Sequence, residues 1–238
     1  MNYPSNTAWL QLNGIYFNRA GRTILSDISL QFCDGELTLL TGHNGSGKTT
    51  LLRILAGLLK PDSALLEIDS HEKTGNWIRS QAILRDNSCY LHQQPYLFDA
   101  SVFDNVSYGL HRRGLETTKI KRQVMDALEA TALAHLCRRH CSELSGGEQQ
   151  RVAMVRAWVL KPRLMLLDEP VANMDKPSRR QCLALINQMQ QDNITVMLTS
   201  HDPQQGKLQI SRHLHLYHGR MINKKPAAST DQPLPTTI

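Results

Sequence analysis

The sequence predicts an α/β fold with a mostly parallel sheet, N-terminal antiparallel β-strands and an inserted helical sub-domain. Short apolar segments alternate with segments of helical periodicity along most of the chain, as expected for buried parallel strands joined by helices. Two longer apolar segments near the N-terminus are separated by a short turn and favour an antiparallel pair. The residues from about 95 to 160 have mainly helical patterns, and we expect them to form a lobe on the core.

The N-terminal third contains three predicted strands and one predicted helix. The turn between the first two strands is Ala20-Gly21-Arg22, and Lys60-Pro61 ends the helix because proline cannot continue one. The residues from 62 to 87 show no clear periodicity and receive no assignment. In chain order, the predicted strands are Leu10 to Phe17, Ile24 to Phe32 and Glu36 to Thr41, and the helix is Lys48 to Leu59.

The rest of the chain alternates between helices and short strands. Residues 8–223 are predicted to form the domain, and residues 224–238, rich in proline and threonine, a disordered tail. A closing hairpin is expected at His213 to Tyr217 and Met221-Ile222. Helices are predicted at Thr118 to Leu136, Ser145 to Leu160 and Ser178 to Gln190, and strands at Ser88 to Gln93, Leu164 to Leu167 and Ile194 to Thr199.

The composition is that of an ordinary globular protein. Of the 238 residues, 41% are hydrophobic and 20% are charged, and the formal net charge is +6. The basic residues are scattered and no aromatic side chains alternate with them, so no nucleic-acid partner is expected. No apolar run approaches the roughly 18 residues that a membrane-spanning helix requires. Any association with a membrane is therefore expected to come through a partner.

A glycine-rich segment between the third predicted strand and the first predicted helix fits the pattern GxxxxGK[ST] at every position. Glycines let the backbone wrap phosphates at positive φ, and the N–H groups at a helix start attract the anion. Lys48 adds a positive charge for the β- and γ-phosphates, and the Thr49 hydroxyl can ligate Mg²⁺. The segment predicts a P-loop NTPase core, with the nucleotide-binding residues Gly42, His43, Asn44, Gly45, Ser46, Gly47, Lys48, Thr49 and Thr50.

Two acidic residues follow the apolar strand Leu164 to Leu167. A buried parallel strand delivers such carboxylates to its C-terminal edge, where ligands bind in open α/β sheets. Asp168 is predicted to help hold Mg²⁺, directly or through water, and Glu169 to orient and deprotonate the attacking water. Many strands end in acids, so the pair is a strong indication only because it lies downstream of a P-loop.

The segment from Leu144 to Arg151 opens the helix that follows the predicted lobe. Ser145 and Glu148 have the S-x-x-E spacing of a capping box. Gly146 and Gly147 lie inside the first turn, where each glycine costs about 1 kcal/mol relative to alanine, and a cap alone does not require them. Bare backbone at a helix N-terminus suits the close approach of a phosphate.

These residues read LSGGEQQR, and on them the chain resembles ABC transporter ATP-binding subunits from about Leu10 to Ile222. The resemblance implies a head-to-tail dimer with two composite ATP sites. In each site the signature of one subunit would press on the γ-phosphate held by the P-loop of the partner. The trans-site residues implied in this way are Ser145, Gly146, Gly147 and Glu148, together with Asp175 at the position of the D-loop acid.

Two other positions match the family pattern, and a third departs from it. Gln93 matches the glutamine that senses Mg²⁺ and the γ-phosphate, with Gln94 as the alternative register. His201 matches the switch histidine that contacts the γ-phosphate. Arg19 stands where the family usually has an aromatic residue that stacks on adenine, and its planar guanidinium can also stack. The resemblance thus gives Glu169, His201 and Lys48 as catalytic residues, and Thr49, Gln93 and Asp168 as the Mg²⁺ site.

The resemblance also implies a function and its partners. It implies an Mg·ATP-dependent motor subunit at the cytoplasmic face of the inner membrane, working with a second cassette, a transmembrane permease and an extracytoplasmic binding protein. Residues 96–110 look like those of tungstate-type oxyanion importers, while import of amino acids, phosphate or metals stays open. An exporter cassette and a soluble non-transport ABC ATPase are the alternatives. The candidates for the apolar lining of a groove for the permease are Leu97, Phe98, Val102, Phe103 and Tyr108, and at least half of them are expected to belong to a local hydrophobic core instead.

Overall fold

The structure is a computed structural model and describes residues 8–70, 72–200 and 208–222. Within these residues the chain forms ten β-strands, six α-helices and two short 3₁₀-helices. The strands are β1 Leu10–Arg19, β2 Arg22–Phe32, β3 Leu37–Thr41, β4 Ser63–Ile68, β5 Glu72–Thr74, β6 Ser88–Leu91, β7 Leu164–Leu167, β8 Thr195–Thr199, β9 Arg212–Tyr217 and β10 Arg220–Ile222. The helices are α1 Lys48–Leu55, α2 Trp77–Asn87, α3 Val102–Arg112, α4 Thr117–Ala130, α5 Gly146–Trp158 and α6 Lys176–Gln191.

The first sheet is antiparallel and has four strands in the order β2-β1-β4-β5. Its first hairpin turns at Ala20 and Gly21, whose φ angles of 48° and 75° match a two-residue turn with both central residues at positive φ. The predicted N-terminal antiparallel pair is therefore confirmed.

The second sheet has six strands in the order β10-β9-β3-β8-β7-β6 and is parallel except for β10. Both faces are covered: Leu37 and Leu39 of β3 pack with buried residues of α3 to α6, whereas Leu40 packs with α1 and the first sheet. The carboxyl ends of β3, β7 and β8 lie side by side at one edge. The glycine-rich segment after β3 and the acidic pair after β7 therefore lie at this edge.

Two helices end at least four residues before their predicted ends. The helix α1 ends at Leu55 and not at Leu59, because Gly57 adopts φ 64° and the amide of Leu58 donates to the carbonyl of Arg53. The helix α4 ends at Ala130 and not at Leu136, because Ala132 has φ 55° and a separate 3₁₀ turn follows. In both cases the apolar periodicity continues past the true end of the helix.

Three elements between residues 62 and 87 received no assignment from the sequence. Strands β4 and β5 extend the antiparallel sheet, and α2 begins after Asn76, whose side chain accepts from the amides of Ile78 and Arg79. Strand β4 alternates irregularly between buried and exposed positions and β5 has only three residues, so neither shows a clear period of two.

Helices α3, α4 and α5 occupy the region predicted to be mainly helical. Their buried residues form one apolar cluster with α6 and one face of the second sheet. In the described part of the chain, no helix is both long and apolar enough to cross a membrane. The predicted tail, 224–238, lies outside the described residues, so it stays a prediction.

Candidate nucleotide-binding site

The glycine-rich segment forms a tight loop between β3 and α1. Gly45 and Gly47 have φ angles of 76° and 105°, which residues with a Cβ rarely adopt. A Cβ on Gly42 would collide with the carbonyl oxygen of Leu216 and lie 2.7 Å from the Ser46 hydroxyl. The loop thus depends on its glycines for both conformation and space.

Lys48 and Ser46 place polar groups inside this loop. The ammonium of Lys48 donates to the carbonyl oxygens of Gly42 and His43 at 2.8 and 3.1 Å. Burial lowers the pKa of Lys48, and the carboxylates of Glu169 and Asp168 oppose that shift. The Ser46 hydroxyl is buried and has no hydrogen-bond partner within the described chain. An unpaired buried hydroxyl in a glycine loop fits an anionic ligand that supplies acceptors.

Asp168 lies directly after β7 and is held by three hydroxyl groups. Thr49 of α1 donates to its Oδ2 at 2.8 Å, Tyr90 of β6 donates to the same oxygen at 3.1 Å, and Thr199 of β8 donates to Oδ1 at 2.8 Å. Burial and the neighbouring Asp168 raise the pKa of Tyr90 to about 12, so its phenol keeps the proton that it donates.

Glu169 follows with an uncommon backbone conformation. Its φ is 48°, a region that costs a residue with a side chain about 1–3 kcal/mol and that is concentrated at functional sites. The Glu169 amide donates to the Thr199 hydroxyl at 2.8 Å, which holds this turn against β8. Its Oε2 accepts from the side-chain amide of Gln93 at 3.3 Å. Of the two registers considered, it is thus Gln93 that reaches Glu169.

Two residues of this arrangement, Tyr90 and Thr199, were not predicted from the sequence. Each lies at or near the carboxyl end of a strand adjacent to β7. In the sequence, each of them is a polar residue at or near the end of a mostly apolar strand, which is the signal that could have identified them. Thr199 also lies two residues before His201. The loop 201–207 is outside the described residues, so the role of His201 stays a prediction.

The signature segment begins α5 with the predicted capping box. The Ser145 hydroxyl accepts from the Glu148 amide at 3.4 Å, and Glu148 Oε2 accepts from the Ser145 amide at 2.8 Å. The Ser145 hydroxyl also donates to Glu148 Oε2 at 2.8 Å, and the bonds donated by the Ser145 amide and hydroxyl lower the pKa of Glu148. The carboxylate therefore serves the cap of its own helix.

The two signature glycines have different surroundings. A Cβ on Gly146 would meet no heavy atom within 4 Å. A Cβ on Gly147 would lie 2.5 Å from the Ser178 hydroxyl oxygen and 2.8 Å from Ser178 Cβ. Gly147 is thus required where α5 packs closely on α6 of the same chain, whereas Gly146 has open space at its Cβ position.

The signature faces a cleft of about 570 Å³. Asp175, the predicted D-loop acid, caps α6 by accepting from the Ser178 amide at 2.7 Å and also lines this cleft. No P-loop residue is among its described lining residues, so the signature does not face the P-loop of its own chain through this cleft. The lining residues are Gln93, Gln94, Pro95, Ser145, Gly146, Gly147, Gln149, Gln150, Pro170, Ala172, Asn173, Met174, Asp175 and Ser178.

Arg19 lies at the end of β1, exposed beside the hairpin turn and opposite Arg22. His43 has a different aromatic neighbourhood, with the ring of Tyr217 5.9 Å away and the ring of His218 5.2 Å away. The described contacts do not test whether Arg19 stacks on a base, so this role stays a prediction.

Comparison with known proteins agrees with this geometry. Residues 25–172 match the family model described as ABC transporter. The "Fe(3+) ions import ATP-binding protein FbpC" of Photobacterium profundum is 38% identical over 199 residues, 83% of this chain and 55% of the relative. The protein of the same name from Pasteurella multocida is 34% identical over 225 residues, 94% of this chain and 63% of the relative. The chain therefore spans between 55% and 63% of the length of these two relatives.

Solved structures give the same result for the fold. The cbiO1 protein of Clostridium perfringens, described as part of the ABC transporter complex cbiONQ, superposes with a TM-score of 0.80 at 30% identity, covering 91% of this chain and 87% of the other. The ADP conformation of MJ1267, an ATP-binding cassette of an ABC transporter, gives 0.76 at 23% identity, covering 91% and 90%, and supports the fold alone.

A glycine-rich loop after one parallel strand, with an acidic pair after another strand of the same sheet, defines the class of P-loop nucleotide-binding domains. Within that class, the chain belongs to the ABC transporter family. The predicted α/β fold is confirmed by both sheets and by the structural comparison.

Proposed function

We propose that the chain is the ATP-hydrolysing motor subunit of an ABC importer. The observation that carries the proposal is a continuous set of hydrogen bonds beside the P-loop. It runs from Thr49 through Asp168, Thr199 and Glu169 to Gln93. This set joins the groups expected to hold a cation with the carboxylate expected to activate water.

The residues fit Mg²⁺ because the Thr49–Asp168 contact pairs a hydroxyl with a carboxylate, and oxygen ligands are those that this cation prefers. When bound, Mg²⁺ would neutralise charge on the β- and γ-phosphates of ATP. In the proposal Thr49 and Asp168 hold the cation, Gln93 adds its amide oxygen, and Lys48 with the amides of the loop holds the phosphates.

Glu169 is the proposed general base. A carboxylate that takes a proton from water must lie within hydrogen-bond reach of it, directly or through one water. The Glu169 side chain is fixed by Gln93 on one side and its backbone by Thr199 on the other, which supports a defined position for that water. His201 is proposed to contact the γ-phosphate, as the family pattern implies.

Two copies of the cassette, residues 8–223 in each, are proposed to share two ATP molecules. Gly146 leaves the N-terminus of α5 open, and no P-loop residue of the same chain is among the described residues that line the cleft beside it. Both observations support a γ-phosphate supplied from a second chain. Ser145 and Asp175 would act at the same trans site. The helical sub-domain of each copy, about 95–160, would carry the signature.

The proposed location is the cytoplasmic face of the inner membrane, bound to a permease that works with an extracytoplasmic binding protein. Import is supported by the names of the relatives, which concern Fe(3+) ions. These names do not support the tungstate-type cargo expected from residues 96–110. We therefore propose Fe(3+) as the first cargo to test and tungstate as the second.

The test of the proposed activity is phosphate release from ATP by the purified chain. Hydrolysis should require Mg²⁺, stop on chelation and be lost in Lys48→Ala, whereas Lys60→Ala, an exposed lysine after α1, should hydrolyse as the parent does. Parent protein without Mg²⁺-dependent hydrolysis at micromolar concentration, with or without its permease, would reject the proposed motor function.

The cargo is tested in cells that lack the chain. Uptake of labelled Fe(3+) and of tungstate is measured before and after the chain is restored, with Glu169→Gln as the inactive control. Restored Fe(3+) uptake supports the proposal, and restored tungstate uptake alone would replace Fe(3+) as the cargo.

A further inference from the structure

The segment that leads from Gln93 to α3, residues 96–101, is held by two side chains from different helices. Asn105 of α3 is fully buried, and its Oδ1 accepts from the Phe98 amide at 2.8 Å. Its Nδ2 donates to the carbonyls of Phe98 and Ser101 at 3.1 and 3.0 Å. A single buried amide thus satisfies backbone groups on both sides of the segment.

Arg156 of α5 completes the attachment. One guanidinium nitrogen donates to Asn105 Oδ1 at 3.3 Å and another donates to the Tyr96 carbonyl at 2.7 Å. The guanidinium carbon also lies 5.1 Å from the centre of the Phe98 ring, within the range of a cation–π contact. The planar fork of an arginine reaches these partners together, which a lysine cannot do.

The same segment is also paired with the chain that leads into the signature. The Cys141 amide donates to the Ala100 carbonyl at 3.0 Å, and the Val102 amide donates to the Arg139 carbonyl at 3.0 Å. Residue 141 is four positions before Ser145, the N-cap of α5. The segment therefore touches both the entry to α5, through backbone, and its last turn, through Arg156.

We propose that Arg156 and Asn105 are positioning residues that fasten segment 96–101 to the signature helix, so that the Gln93 loop and the signature move as one unit. Gln93 lies three residues before Tyr96 and contacts Glu169, whereas the signature is expected to meet the partner's nucleotide. The role of this unit in hydrolysis rests on the proposed function; the attachment itself does not.

The first test measures amide hydrogen exchange of the full chain by mass spectrometry, without nucleotide. Arg156→Lys and Arg156→Met should increase exchange about tenfold, the effect of losing a hydrogen bond to a charged group, in peptides covering both 96–101 and 144–150. Arg113→Met is the matched control, because Arg113 is in the same lobe and its guanidinium donates to the Leu160 carbonyl, which lies outside both segments. It should leave both peptides unchanged.

The exchange experiment can overturn the proposal in two ways. Faster exchange in 96–101 with an unchanged 144–150 would show a purely local contact. A uniform increase along the chain, with a lower melting temperature in Arg156→Lys, would show that Arg156 serves only stability.

The second test is kinetic and uses the same variants. Arg156→Lys should lower kcat about tenfold and leave the Kd for ATP unchanged. Its effect should be less than additive with that of Gln93→Ala, because both changes would act through the same loop. Additive effects would overturn the proposal. If the parent chain hydrolyses no ATP, the proposed function fails, and the exchange result alone decides the attachment.

Discussion

Asp168 receives hydrogen bonds from three elements that are separated in sequence. Its two carboxylate oxygens are occupied by hydroxyl groups from α1, β6 and β8, and the residue is almost completely buried. A buried carboxylate is tolerated when its lone pairs are satisfied in this way. The three hydroxyl groups therefore fix the direction of the charge that faces the P-loop.

The first prediction concerns Glu169. Glu169→Gln should lower ATP turnover by about 10²–10⁴-fold, the usual contribution of a general base, while ATP binding remains. Because bound ATP is no longer consumed, the variant should form a dimer when ATP is added, which size-exclusion chromatography with light scattering can measure. Turnover within threefold of the parent would show that Glu169 is not the base.

The second prediction concerns Thr199, whose hydroxyl joins Asp168 to the Glu169 backbone. Thr199→Val should lower kcat about 10- to 100-fold, as loss of a group that orients a metal ligand commonly does. Thr195→Val is the matched control, because Thr195 lies on the same strand and bonds the Cys33 carbonyl and Trp9, away from the site. Both variants should lose about 1–3 kcal/mol of stability in denaturant unfolding. Equal kcat for the two variants would exclude an orienting role for Thr199.

Some residues of the candidate site could be predicted from the spacing of sequence motifs, and others could not. Lys48, Asp168 and Gly146 belong to segments whose spacing carries the chemistry, so the sequence alone indicated them. Tyr90 and Thr199 act through Asp168, and their proximity depends on β6 and β8 being the two neighbours of β7. The order of parallel strands is not a local property of sequence, which is why these two residues were missed.

At the scale of elements, the apolar pattern located strands β3, β7 and β8 within one residue but misplaced the ends of α1 and α4. Helix ends depend on single residues, Gly57 and Ala132 at positive φ, whereas the apolar positions beyond them still face the core. Strand β4 was missed because it is only partly buried and carries a weak alternation, and β5 because it is an edge strand of three residues.

The third prediction separates a helix cap from a nucleotide contact at α5. Gly146→Asp should abolish hydrolysis but leave the monomer folded, because an acid in the first turn of a helix is stabilising by about 0.3–1 kcal/mol while it repels a phosphate. Ser145→Arg would not separate the two roles, because removal of the N-cap also destabilises the helix by about 1 kcal/mol. Gly147→Asp would not separate them either, because its side chain would collide with Ser178.

The measurement for Gly146→Asp is hydrolysis together with thermal unfolding. Mixing this variant with Lys48→Ala subunits should partly restore activity, because one composite site of the mixed dimer then has an intact P-loop and an intact signature. A Gly146→Asp protein that hydrolyses ATP normally would leave the segment with only its capping role.

At the scale of the whole molecule, exposed aromatic residues near segment 96–101 form the surface that we propose for the permease. Tyr96 is 74% exposed and Tyr108 is 49% exposed, and the partly buried Phe98 lies between their rings, 6.1 and 4.6 Å away. Of the other groove candidates, Val102 is fully buried and belongs to the core, whereas Leu97 and Phe103 are partly buried and pack against it. Phe98 touches Arg156, which makes it a poor probe of an interface alone.

The fourth prediction therefore replaces Tyr96, whose carbonyl binds Arg156 but whose side chain is exposed. Tyr96→Glu should leave hydrolysis by the free cassette within about twofold of the parent, because surface changes seldom alter stability by more than about 0.5 kcal/mol. It should weaken co-purification with the permease and reduce transport, since exposed aromatic side chains are frequent anchors at interfaces. Ile78→Glu is the matched control, because Ile78 is 79% exposed on α2, outside this cluster, and should change neither property. Unchanged co-purification of Tyr96→Glu would place the permease elsewhere, whereas loss of free-cassette hydrolysis would show that the Tyr96 side chain supports the Gln93 loop instead.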